Sequence, residues 1–146
     1  MKTVLFLCTG NYYRSRFAEE LFNAFPPENW RAISRGVAVD LGAGNIGPIA
    51  RSTAQALRER GIAFDRDKAR HPLQVSVADL DAADHIVALK LAEHMPLIRA
   101  RFAAWAEAAP PDRIEYWRIH DIDFAPPETA LPQIEAHVRD LIGRLR

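Results

Sequence analysis

Four short apolar runs alternate with four stretches of helical periodicity along the 146 residues, and this alternation limits the fold more than any other feature. Thr3 to Leu7 is apolar on both faces, as a buried parallel strand requires. From Ser15, the residues Phe17, Ala18, Leu21 and Phe22 recur at helical spacing until Pro26-Pro27 stops the helix. Trp30 to Ser34 predicts a second strand. Gly36 to Gly47 holds four glycines and predicts a long loop. Pro48 suits the first turn of a helix with the face Ile49, Thr53, Ala56 and Leu57, ending at Gly61. Arg66 to Pro72 predicts a charged loop, and Asp84 to Leu89 a third strand. Leu91 to Ala108 is helical in pattern, with Pro96 predicting a bend or a later start and Pro110-Pro111 ending it. Ile114 to Ile119 predicts a fourth strand. Glu128 to Arg146 closes the chain as an amphipathic helix carrying Ile134, Val138, Leu141, Ile142 and Leu145. Strand–helix alternation of this kind argues for an α/β fold, an open parallel sheet with helices on both faces. Residues 1–146 fit a single domain, large enough for one core without staples.

Composition excludes more than it suggests. Lys plus Arg and Asp plus Glu both number 19, so bulk charge argues for neither a nucleic-acid nor a membrane partner. The N-terminal apolar run is too short for a signal peptide, and no stretch reaches transmembrane length, so a cytoplasmic location is expected. Cys8 is the only cysteine, which rules out an internal disulfide or a paired-thiol relay. His71, His85, His94, His120 and His137 show no metal-ligand spacing, so no metal is expected. Trp30, Trp105 and Trp117 are predicted to pack in the core. Arg58-Glu59-Arg60 is predicted to be a solvated helix face, and Arg66, Lys68 and Arg70 a solvated loop.

The chemistry lies between the first strand and the first helix, in Cys8-Thr9-Gly10-Asn11-Tyr12-Tyr13-Arg14-Ser15. A loop curled over one anion points several backbone N–H groups inward, and the helix that follows adds its unpaired N–H groups and the positive end of its dipole. Gly10 permits positive φ, and Asn11 tolerates it better than most residues. The same field stabilises a thiolate, the nucleophilic form of Cys8. Arg14 can present two parallel N–H donors to two phosphoryl oxygens, which lysine cannot copy. Ser15 can donate its hydroxyl to the sulfur as it leaves. A phosphate dianion fits this arrangement, seated on Thr9, Gly10, Asn11, Tyr12, Tyr13 and Ser15.

Phe6 to Ser15 resembles the active-site loop of the low-molecular-weight protein-tyrosine phosphatases. The resemblance runs along the chain. Ser34-Arg35-Gly36 is similar to the family's Ser-Ala-Gly, Gly61-Ile62 and Ala69-Arg70 to its Gly-Ile and Ala-Arg, and Asp84-His85-Ile86-Val87 to its third-strand signature. It implies a four-stranded parallel sheet, no metal and no organic cofactor. It also implies a phosphocysteine intermediate on Cys8, a phosphorylated protein or peptide as substrate, and inorganic phosphate as product. Asn11 and Ser34 are expected to hydrogen-bond and hold the loop in shape. The oligomeric state stays open.

The family's general acid is an aspartate on a late loop, followed by proline and an aromatic. Here the run is His120-Asp121-Ile122-Asp123-Phe124, in which Asp121 matches that aspartate and Ile122 replaces the proline. Chemistry independently wants one carboxyl to protonate the leaving oxygen and then deprotonate water. Asp121 is the expected acid and Asp123 the competitor. Three further departures stand out. Tyr13 replaces a frequent second cysteine, and Arg16 replaces a usual proline. Val37 to Gly42 lacks the aromatic that often walls the substrate slot, leaving Tyr12 and Phe124 as candidate ring contacts. Thr9 beside the nucleophile is similar to the protein-arginine phosphatases, so phosphotyrosine and phosphoarginine both stay open. Arsenate reduction by an internal relay needs two cysteines this chain does not have, although a version using an external small thiol stays open. A phosphopeptide-binding module with little activity is the remaining alternative.

Overall fold

Strand β1 (Lys2–Cys8) runs through the middle of the molecule, and its side chains alternate between two cores. Val4, Phe6 and Cys8 face a larger cluster with Phe17, Leu21, Trp117 and Ile134, while Leu5 and Leu7 face a smaller one with Leu80, Ile86 and Ile98. A strand covered on both faces has no polar side, which is why its sequence shows no polar alternation. The computed structural model describes all 146 residues. Strands β2 (Trp30–Gly36), β3 (His85–Ala88) and β4 (Ile114–Tyr116) complete a four-stranded parallel sheet in the order β2-β1-β3-β4. Helices α1 (Arg14–Ala24), α2 (Arg51–Glu59) and α6 (Pro127–Leu145) cover one face. Helices α3 (Val77–Ala82), α4 (Leu91–Arg101) and α5 (Ala103–Ala108) cover the other. The expected α/β architecture is the one found.

The strand order places the site. The chain leaves β1 for β2 on one side, then returns past β1 to β3 on the other. The carboxyl ends of β1 and β3 therefore flank a topological switch point, where ligands of such sheets bind.

Several elements differ from the expectations. Helix α3 is an addition to the expected elements, since six residues are too few to show a period. Its start is marked by a capping box in which Ser76 Oγ accepts from Asp79 N at 3.1 Å and the Asp79 carboxylate accepts from Ser76 N at 3.0 Å. The span 91–108 is two helices, broken at Phe102 with φ −131 and ψ 46; α4 starts at Leu91 and contains Pro96. Helix α2 begins at Arg51, which leaves Pro48 in the preceding loop. The loop after β2 carries a 3₁₀ turn at Val39–Gly42. Strand β4 ends at Tyr116 rather than Ile119. Beyond it the chain is stitched to the end of β3 by Leu91 N to Trp117 O at 2.9 Å and Ile119 N to Leu89 O at 2.8 Å. That stitching carries residues 119–123 to the mouth of the switch point.

Candidate active site

Strand β1 ends on Cys8 and α1 begins on Arg14, so the five residues between them must reverse direction. The left-handed step falls on Asn11 (φ 51) and not on Gly10, which also permits it. Asn11 is fully buried and uses both ends of its amide. Its Nδ2 donates to Ser15 Oγ and Ser34 Oγ, each at 2.9 Å, and its Oδ1 accepts from Arg70 Nη1 at 2.9 Å and Leu73 N at 3.1 Å. Arg70 also donates through Nη2 to Ser34 O and Oγ at 3.1 Å and faces Glu19 Oε2 at 3.4 Å. Of the basic run expected to be solvated, only Lys68 is so; Arg66 donates to the Ile49 carbonyl and Arg70 braces the loop. Arg16, in the place of a proline, is 1% exposed and donates to the carbonyls of Pro48 (2.9 Å) and Arg70 (2.8 Å). Burial, then the charge of Arg70, pull its pKa down to about 10.

Gly36 lets β2 meet this loop. A Cβ there would stand 2.7 Å from the Thr9 carbonyl oxygen and 2.6 Å from Val39 Cγ2. Val37 N and Ala38 N donate to the carbonyls of Cys8 (2.9 Å) and Thr9 (3.0 Å) at the same crossing.

Cys8 Sγ lies 2.9 Å from Ser15 Oγ. Arg14 is 2% exposed; its Nη1 donates to the Ile119 carbonyl at 3.0 Å, and its Nη2 donates to Glu93 Oε2 at 2.6 Å. Asp121 Oδ2 stands 3.5 Å from the same Nη2. Burial works against the charge of Arg14, but Cys8, Glu93 and Asp121 outweigh it and push its pKa up. No side chain caps the first turn of α1 and no acid lies in it, so its N–H groups and dipole face the loop unopposed. The cleft measures about 350 Å³; Cys8, Thr9, Tyr12, Arg14, Leu41 and Asp121 line it.

The remaining expected residues are distributed around the cleft. Gly10, Tyr13 and Asp123 also line it, though Asp123 makes no ion pair. The Tyr12 hydroxyl donates to the Ile46 carbonyl and ties the loop to the opposite wall. Tyr13 is buried, its hydroxyl has no partner, and burial followed by Asp121 pushes its pKa up to about 12. Phe124 does not line the cleft: it is 74% exposed, with Lys90 Nζ 4.5 Å above its ring. The Thr9 hydroxyl donates to Glu93 Oε2 and lies 3.2 Å from His94 Nε2.

The family model described as low molecular weight phosphotyrosine protein phosphatase matches residues 3–114. This chain belongs to that family. It is 36% identical over 104 residues to the low molecular weight protein-tyrosine-phosphatase YfkJ of Bacillus subtilis, a match covering 68% of this chain and 63% of that relative. The crystal structure of YfkJ from the same organism superposes with a TM-score of 0.80 at 25% identity, over 99% of this chain and 94% of that one. YwlE arginine phosphatase from Geobacillus stearothermophilus superposes at 0.76 with 23% identity, over 99% and 93%, a likeness of fold.

Within this family framework, the residues sequence reasoning passed over are Glu93, His94, Arg16 and Arg70. Ala69-Arg70 carried a signal through the resemblance. Glu93 and His94 carried none: they are two polar residues on a helix, and Glu93 is 79 positions from Arg14. No group of three or more His, Cys, Asp or Glu side chains is arranged to hold a metal ion. No helix is long and apolar enough to cross a membrane.

Proposed function

We propose that this chain hydrolyses phosphate monoesters through a phosphocysteine intermediate on Cys8, acting on phosphotyrosine-type aryl phosphates of a protein or peptide. The observation that carries this reading is the convergence of Cys8, Arg14 and Asp121 on one cleft, with Ser15 Oγ 2.9 Å from the sulfur. The Cys8 thiolate attacks phosphorus, and the bond to the leaving oxygen breaks as Asp121 gives that oxygen its proton. Arg14 and the loop N–H groups hold the equatorial oxygens in line. Asp121, now a carboxylate, takes a proton from water; the hydroxide attacks phosphorus, and sulfur leaves with Ser15 donating to it. Inorganic phosphate departs and Asp121 is again protonated. A reducing compartment such as the cytoplasm suits a mechanism that needs a free thiolate.

Phosphoarginine is the second reading. It is favoured by Thr9 beside the nucleophile and by a wall of Leu41, Gly42 and Asn45 without an aromatic ring. Against it, the Thr9 hydroxyl is already tied to α4, donating to Glu93 Oε2 and lying 3.2 Å from His94 Nε2. The test is kcat/KM for phosphotyrosine and phosphoarginine peptides side by side, with a generic aryl phosphate as reference. Wild-type turnover of the aryl phosphate is expected, together with its loss in Cys8→Ser, because a serine alkoxide does not form here without a base. Turnover surviving in Cys8→Ser would exclude the phosphocysteine route. No turnover by the wild-type chain would favour a binding module, and a tenfold preference for phosphoarginine would replace the tyrosine assignment.

A further inference from the structure

A guanidinium carries five N–H groups. Arg14, which lines the cleft, spends two of them on protein, one on the Ile119 carbonyl and one on Glu93, and the other three make no hydrogen bond to the protein. What holds Glu93 therefore decides where the fork points. Its Oε2 faces three groups: it accepts from Arg14 Nη2 at 2.6 Å and from the Thr9 hydroxyl, and His94 Nε2 stands 3.0 Å away. These come from α1, α4 and the Cys8 loop, so one carboxylate oxygen links all three.

His94 is suited to a fixed role. It is fully buried, and its Nδ1 accepts from Lys90 N at 2.9 Å. In the neutral ring the proton therefore sits on Nε2, the nitrogen facing Glu93 and Thr9. Burial lowers the pKa of His94 and keeps the ring neutral. Burial alone would raise that of Glu93, but the hydrogen bonds from His94, Arg14 and Thr9 outweigh it and hold the group well below the usual carboxylate range. Lys90, the charged residue that opens this turn, directs its ammonium to the Phe124 ring instead.

We propose that Glu93 is a positioning residue that aims Arg14 at the phosphoryl group, and that Thr9 and His94 hold Glu93 rather than select the substrate. The proposal rests on the phosphatase reading of the same cleft. It differs from a purely structural ion pair in one respect: the effect of Glu93 must pass through Arg14. It also reassigns Thr9, the residue that kept arginine phosphate open, from specificity to support.

The experiment measures vanadate affinity by calorimetry and kcat/KM for an aryl phosphate, in wild type, Glu93→Gln, Arg14→Lys and the double variant. Glu93→Gln is expected to weaken both quantities by about ten- to a hundredfold, the worth of a hydrogen bond to a charged group. In the Arg14→Lys background the same change is expected to cost less than about twofold, because the fork it aims is gone. Equal losses in the two backgrounds would overturn the proposal. Thr9→Val tests it independently, should Glu93→Gln fail to fold. It is expected to lower kcat/KM for phosphotyrosine and phosphoarginine peptides by the same factor, and a tenfold change in their ratio would overturn the proposal. If wild type binds vanadate without turnover, the phosphatase reading fails while the vanadate cycle still decides the role of Glu93. No vanadate binding by wild type overturns both.

Discussion

Asp121 and Asp123 stand two positions apart, and only Asp121 faces Arg14. Asp121 Oδ2 faces Arg14 at 3.5 Å, while Asp123 lines the same cleft without an ion pair. General acid catalysis contributes about 10²–10⁴-fold. Asp121→Asn is expected to lose that much in kcat on a substrate with a poor leaving group, and much less on an activated aryl phosphate. Asp123→Asn is expected to have a mild effect on both; the reverse ranking would make Asp123 the acid. Tyr13 presents a different residue-level problem, since its buried hydroxyl has no hydrogen-bond partner. Leaving such a group unsatisfied costs about 1–3 kcal/mol. Tyr13→Phe keeps the ring and removes the orphan, so the unfolding free energy in urea is expected to rise by about 1 kcal/mol. An unchanged or lower value would mean that the hydroxyl is satisfied in solution.

At the scale of elements, the site depends on how closely the Cys8 loop lies on the end of β2. Gly36 permits that approach, since a Cβ would press on the Thr9 carbonyl at 2.7 Å. Neither that backbone oxygen nor the Cys8 carbonyl bonded to Val37 N can move without shifting the loop. Gly36→Ala is therefore expected to cost about 1–3 kcal/mol of stability, the usual penalty of overpacking. It should also weaken vanadate binding, because the loop N–H groups shift together. A variant with full stability and wild-type affinity would show that the crossing has slack. Element boundaries followed local chemistry only in part. The Ser76-x-x-Asp79 box was readable, but α3 itself was too short to show a period. The break at Phe102 has no Gly or Pro to announce it.

Across the whole molecule, two carboxylates tie distant elements together. Glu93 joins α4 to Arg14 of α1, and Glu115 of β4 joins His85 of β3 at 3.1 Å and Arg144 of α6 at 2.8 Å. Both have pKa values held well below the usual range. The hydrogen bond from His85 leads for Glu115; for Glu93 the bonds from His94, Arg14 and Thr9 overcome burial. A depressed carboxylate contributes stability that is present above its unfolded value and lost as the pH falls toward its folded value. His94, also lowered by burial, tilts the balance the same way, because the unfolded chain binds its proton first. The unfolding free energy is therefore expected to weaken modestly below about pH 6.5 and to fall more steeply below about pH 4.5. Glu115→Gln should flatten the acid limb of a urea-midpoint profile, and an unaltered slope would remove Glu115 from the account.

The sheet and the position of the Cys8–Ser15 loop were legible because both are local. Alternating apolar runs specify strands and helices within a few residues, and the loop holds Cys8, Asn11, Arg14 and Ser15 in eight consecutive positions. The surroundings of Arg14 were not legible. Its partners Glu93 and Ile119 lie 79 and 105 positions away, on segments that follow β3 and β4. They meet it only because the strands order as β2-β1-β3-β4 and the chain past β4 is bonded to the end of β3. Asn11 likewise meets Arg70 across 59 positions. Periodicity reports which way a side chain faces but not which strand end lies beside it. The sequence alone therefore determined the Cys8–Ser15 loop, and the packing of three carboxyl ends decided what holds its arginine.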